Sequence, residues 1–198
     1  MSLIRTSALS ALQTGIKILA GFAIVKVVAL AAGPEGMAQL GQFQNLLTLL
    51  VMLAGGMLGT GLTRLLAEHQ SVESRLAISH ASLRLTLQLS LGLTVLVLLG
   101  APYLARYVLH DASLLPLVVL LPVFVLTGAL SVLWLALLNG CDRIVEMTRI
   151  SIASSLLMLL VTVPLAWLWQ KPGAFLSVAL PSLLLVVYIA WQQQGAFR

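Results

Sequence analysis

Lys17 and Lys26 stand inside one uninterrupted apolar run, residues 6–32, and there the sequence first offers chemistry. A run of that length exceeds the roughly 20 residues a helix needs to cross a bilayer. An ammonium at mid-depth costs on the order of 3 kcal/mol or more, which marks a functional interior unless the side chain reaches the headgroups. A second run, residues 37–63, carries Gln42, Gln44 and Asn45 in its first part, with Arg64 just past its end. The two runs hinge at Gly33-Pro34. Cations and amides gathered on two neighbouring spans make a binding surface rather than a bond-making one.

Helical spacing sorts these groups. Thr6, Ser10, Gln13 and Lys17 fall on one face of the first run, at successive spacings of about four, three and four. Lys26 lies about 180° from Lys17 on a straight helix, so one cavity takes both only if the helix bends. Gly15 and Gly21 permit a bend without requiring it. Two readings of Lys26 therefore stand: a lumen residue, or a side chain extended to the outer headgroups. On the second run Gln42, Asn45, Gly56, Thr60 and Thr63 fall within about 60° of each other. Gly55 and Gly59 have the spacing that lets helix backbones approach closely, and packing is their expected use. The three amides either line a cavity or tie helices together.

Enzyme chemistry has little to stand on. His69, His80 and His110 have no second ligand at metal spacing, and Cys141 is the single cysteine. The glycines of GGMLGTG lack a following Lys-Ser/Thr, and no serine has a G-x-S-x-G setting. Glu35, Glu68, Glu73, Asp111, Asp142 and Glu146 all fall at loops or span ends, which leaves no buried carboxylate pair. The expectation is a non-enzyme without cofactor or metal. The net charge of +5 is spread singly between apolar runs, so no nucleic-acid partner is expected either.

The elements that must position these residues follow from composition. Hydrophobic residues make up 60% of the 198 and charged residues only 9%, far below the roughly 25% of soluble domains. The expected fold is an all-α membrane protein, a six-transmembrane-helix bundle forming a single unit over 1–198. Its spans are placed at about 6–32, 37–63, 83–103, 114–139, 150–169 and 174–191. With the N-terminus inside, Arg5, Arg64, Arg75, Arg84, Arg143, Arg149 and Arg198 lie on the inner side, against Arg106 and Lys171 outside. That asymmetry orients both termini to the cytoplasm. Residues 64–82 read as an amphipathic helical link. Pro116 and Pro122 open the fourth span, while Pro164 and Pro181 interrupt the fifth and sixth. Trp167, Trp169 and Trp191 suit an interfacial belt, and Trp134 either belt or packing. Arg143, Glu146 and Arg149 are spaced as i+3 pairs at a helix start.

The stretch MSLIRTSALSALQTGIKILAGFAIVKVVALAAGPEGMAQLGQFQNLLTLL resembles the N-terminus of O-antigen translocases, the Wzx-type flippases of lipid-linked oligosaccharides. The likeness lies in the basic start, the mid-span lysine, the outer GPxG turn and the GQFQN stretch. LLNGCDR after the fourth span is a less specific echo, and later helices match in spacing and hydropathy. The resemblance implies a MATE-like exporter fold of two six-helix lobes around an alternating-access cavity. It also implies a bacterial inner-membrane location, and movement of an undecaprenyl-pyrophosphate-linked oligosaccharide to the periplasmic leaflet. Lys17, Lys26, Gln42, Gln44 and Asn45 would then line the cavity, with Arg64 at its inner mouth. Lysine offers point charge to a pyrophosphate, and amides offer donors and acceptors to sugar hydroxyls. Such flippases run to about twice this length, so the sequence reads as the N-terminal lobe. It is then a truncated product, a fragment, or a lobe that pairs with a second lobe or a second copy. Membrane lipid completes the expected partners. A drug-exporter lobe, whose cationic substrates the lysines disfavour, and a non-transporting scaffold are the rival readings.

Overall fold

The computed structural model describes the backbone of residues 3–69 and 71–196; side chains are described for 11–30, 33–69, 71–165 and some later positions. The side chains of Arg5, Thr6, Ser10, Trp169, Lys171, Pro181, Trp191 and Arg198 lie outside the described residues. Helices make up the whole architecture, with no strand among the described residues. Helix α1 runs Leu3–Val51, α2 Met57–Glu68, α3 Val72–Tyr103, α4 Leu115–Gly140 and α5 Ile144–Ala196. Five segments among the described residues are helical, long and apolar enough to cross a membrane: Ala11–Leu30, Gly33–Glu68, Val72–Val108, Ala112–Gly140 and Ile144–Leu165. In hydrocarbon a helix pairs its backbone polar groups within the one segment.

Gly33 breaks α1 into two spans. Its φ of 69° and ψ of −177° belong to a region open essentially to glycine alone, and Pro34 follows with no N–H to donate. No other residue of α1 leaves the helical region, so the helix runs without a break through Gly15 and Gly21.

The second span is rebuilt halfway down. A π-helical turn, Met52–Gly56, separates α1 from α2. Such a turn holds one residue more than an α turn, so everything after it is rotated back by about 100°. The buried residues show what this achieves. Leu40, Phe43 and Leu50 are buried above the turn, and Gly59, Leu62 and Leu66 below it. On an unbroken α-helix the two groups would face about 100° apart; with the extra residue they form one buried stripe.

Helix α4 is the central pillar. It has no charged residue, it is apolar all round, and Val118, Leu121, Val125 and Ala129 are fully or almost fully buried. Small residues bring α4 against the second span. A Cβ on Gly128 would lie 2.7 Å from Val51 Cγ2, and one on Gly140 2.8 Å from Leu66 Cβ. Gly55 lies against Thr86 and Ala129, and Gly59 against Ala136 and Val132, so this glycine pair is a packing device. Near the other end, Phe43 meets Phe175 edge to face at 5.3 Å, worth about 0.5–1.5 kcal/mol beyond burial.

Three connections differ from expectation. Residues 64–82 are not a separate link: α2 ends at Glu68, and α3 begins at Val72 and continues into the third span. At about 1.5 Å per residue its 32 residues span about 48 Å, more than the roughly 30 Å of hydrocarbon. Arg75 Nε donates to His69 O at 3.0 Å and fixes the short corner. Arg143 pairs with Glu146 at 2.7 Å as spaced, whereas Arg149 forms no ion pair among the described residues. Finally, α5 runs 53 residues and includes the expected fifth and sixth spans. Ser131 Oγ, which donates to Thr127 O at 2.8 Å, lies 3.4 Å from Ser182 O. A straight helix from Ile144 would carry Ser182 about 57 Å from its start, while Ser131 is only about 13 Å along α4 from Gly140. The chain therefore doubles back within this element before Ser182.

Candidate functional site

The first span presents its two lysines separately. Among its described residues Ala20, Ile24 and Val28 are buried, one stripe at four-residue spacing. Lys17 continues that stripe toward the N-terminus and is itself exposed, beside half-buried Gln13. Lys26 lies on the opposite side, among exposed Leu19, Phe22, Val25 and Leu30. With an unbroken helical path between them, Lys17 and Lys26 stand about 180° apart around the axis, and the two ammonium groups point to opposite sides.

The π turn decides the arrangement on the second span. Gln42 and Asn45 are exposed, facing away from the buried stripe. An unbroken α-helix would set Arg64 about 100° from Asn45; the extra residue brings Arg64 into line beneath it. Gln42, Asn45, Thr60 and Arg64 then occupy a sector of about 100°, opposite the core. Exposed Leu49, Met52 and Met57 lie among them, so this face is amphipathic. Gly56 and Thr63, expected on the same face, turn toward α4 instead. Thr63 Oγ1 reaches Gly59 O at 2.9 Å and Ala136 O at 3.2 Å, a tie between helices. Gln44 is exposed but about 100° from Asn45, apart from the column.

At the end of α2 the column runs into a cavity of about 500 Å³ between α2 and α4. Arg64, Thr60 and Asn139 line it, with Val132, Leu135 and Met147 on its apolar side. Arg64 is 82% exposed and donates from Nε to Glu68 Oε1 at 2.8 Å. That bond orients the guanidinium and leaves its terminal amino groups free to donate. The α4 end of the cavity is held by a tight turn. Asp142 takes φ 59°, a conformation Asp tolerates, and Arg143 N donates back to Leu138 O at 2.9 Å.

Two polar residues of this region escape a sequence reading. Asn139 was visible only as the last residue of a span, and its approach to Arg64 depends on the α2–α4 packing. Gln39 lies one turn before Gln42 on the buried stripe, 6% exposed, and its Oε1 has no partner among the described residues. Its position relative to Phe43 was the available signal. The hydroxyls of Thr86, Ser90 and Thr162 are likewise buried and unpaired among the described residues. No group of His, Cys, Asp and Glu among the described residues has the makings of a metal site.

The chain is 28% identical over 188 residues to the Lipid III flippase of Escherichia coli (strain K12), and equally to that of Shigella flexneri. The similarity is to a flippase. It covers 94% of this chain and 45% of each relative, so the chain spans about half the length of the curated relatives it matches. No family profile matches the chain, and no solved structure does. The aligned region takes in both lysine-bearing and amide-bearing spans, whose helices are the ones described above.

Proposed function

We propose that the chain forms one lobe of a flippase for a lipid-linked saccharide precursor. Its substrate is an undecaprenyl-pyrophosphate-linked oligosaccharide, an O-antigen or related unit, moved from the cytoplasmic to the periplasmic leaflet. The observation that carries this reading is the amphipathic column on the second span, Gln42, Asn45, Thr60 and Arg64 interleaved with leucine and methionine. Polar side chains at membrane depth face a wet cavity or other helices, not lipid. Amides suit sugar hydroxyls, and cations suit phosphate. Lys17 completes the lining from the first span, while Lys26 and Gln44 stand at its flanks on other helix faces. The likeness to Lipid III flippases supports transport over catalysis. A second lobe, supplied by another segment or a second copy, closes the cavity, and both termini lie in the cytoplasm of a bacterial inner membrane.

Single cysteines test the cavity directly, with Cys141 replaced by serine. In the two-lobe assembly, Asn45→Cys and Thr60→Cys react with a membrane-impermeant maleimide, whereas Leu19→Cys and Leu99→Cys, exposed apolar positions, do not. Equal silence at all four positions contradicts an aqueous cavity and favours a non-transporting scaffold.

A further inference from the structure

The side of the first span that faces away from its own lobe is open along its length. Leu12, Gly15, Leu19, Phe22, Lys26 and Ala29 are all exposed there, at alternating steps of three and four residues. They lie opposite the buried stripe of Ala20, Ile24 and Val28. A period of about 3.5 residues keeps a seam in line with a neighbouring helix. A face that meets only lipid has no need of it. A Cβ on Gly15 would meet no described atom within 4 Å, so its small size packs nothing among the described residues. On a span, such a residue lets a second helix come close. Lys26 sits in the same seam about 10 Å along the helix from the Gly33 break, and it forms no ion pair among the described residues. A lone ammonium on an outward face at that depth is costly until an opposite charge meets it.

We propose that this seam is a docking surface for a transmembrane helix of the second lobe, one that carries an Asp or Glu facing Lys26. Charge complementarity selects the occupant. Two copies of this chain in the same orientation, paired along the seam about a two-fold axis, would set Lys26 against Lys26. The seam therefore disfavours a second copy and favours a helix of different sequence with a carboxylate at that depth. Leu19 and Phe22, each 71% exposed, supply the apolar contact on one side of the charge, and Ala29 allows close approach on the other. The inference rests on the flippase reading for the existence of a second lobe, and it decides between the two sources of that lobe named above.

A charge-swapped copy of the full chain serves as the probe. Two differently tagged copies, each with Cys141→Ser and Leu19→Cys, are expressed together in cells, and the membranes are oxidised. Copies that both keep Lys26 should cross-link weakly. Pairing a Lys26 copy with a Lys26→Glu copy should raise the mixed disulfide about fivefold or more, at equal membrane levels. Two Lys26→Met copies should cross-link more than two Lys26 copies, because the repulsion is gone. A cysteine at Leu99, exposed on α3, should show none of this charge dependence. Strong cross-linking between Lys26 copies overturns the proposal in favour of a second copy. A mixed pair no better than Lys26 with itself overturns it in favour of a side chain extended to the headgroups. Complementation with a second lobe separates this inference from the reading beneath it. Charge-selective cross-linking without restored surface polysaccharide keeps the seam and sinks the flippase reading; restored polysaccharide without charge selectivity sinks the seam.

Discussion

Gly140 and Gly61 are both helical glycines, yet they carry opposite expectations. A Cβ at Gly140 would meet Leu66 Cβ at 2.8 Å and the Thr63 backbone at 3.2 Å, so something must move. Gly140→Ala should lower stability by about 1–3 kcal/mol, read as a lower melting temperature in detergent. A Cβ at Gly61 meets nothing within 4 Å, and Gly61→Ala should be neutral or slightly stabilising. Gly33 is a third case: there is room for a methyl group, but its φ of 69° is not available to alanine without strain. Gly33→Ala should cost about 1–3 kcal/mol through the backbone alone. Gly128→Ala should fail against Val51 Cγ2, and Val51→Ala in the same chain should recover much of the loss.

At the scale of elements, the π turn does the most to shape the site. It keeps one stripe buried along the second span while moving Arg64 under Asn45 and Thr63 onto α4. Deleting exposed Leu53 should convert the turn to α-helix and rotate α2 by about 100°. The register is readable by cross-linking. A Cβ on Gly59 lies 3.5 Å from Ala136 Cβ, within disulfide reach, so Gly59→Cys with Ala136→Cys should oxidise efficiently in a Cys141→Ser background. The Leu53 deletion should abolish that cross-link; retention of it would mean the turn does not set the register. This element also marks what was legible beforehand. The helical, apolar character of the chain, the break at Gly33-Pro34 and the packing role of Gly55 and Gly59 follow from local chemistry and periodicity, and the fold bears them out. The π turn does not, because a one-residue excess leaves no mark in composition. Only the phase slip between Leu40/Phe43/Leu50 and Leu62/Leu66 hints at it. A wheel drawn at constant pitch therefore puts Thr63 with Asn45, where the molecule puts Arg64.

For the whole molecule, the buried pillar α4 and the polar column on its neighbour divide the labour. Small residues lock the second span to the pillar; Gln42 and Asn45 stand exposed on the face away from its buried stripe, while Thr60 and Arg64 border the cavity beside α4. The Asn139–Arg64 cavity was not legible, since it joins residues 75 apart through tertiary packing. The most direct measurement is complementation of surface polysaccharide in cells lacking their own flippase, with this chain expressed beside a second lobe. The account predicts restored polysaccharide with the intact chain, and loss of about tenfold or more with Lys17→Ala or Asn45→Leu at normal membrane levels. No restoration although both lobes insert, or full restoration with Lys17→Ala and Asn45→Leu combined, would contradict it.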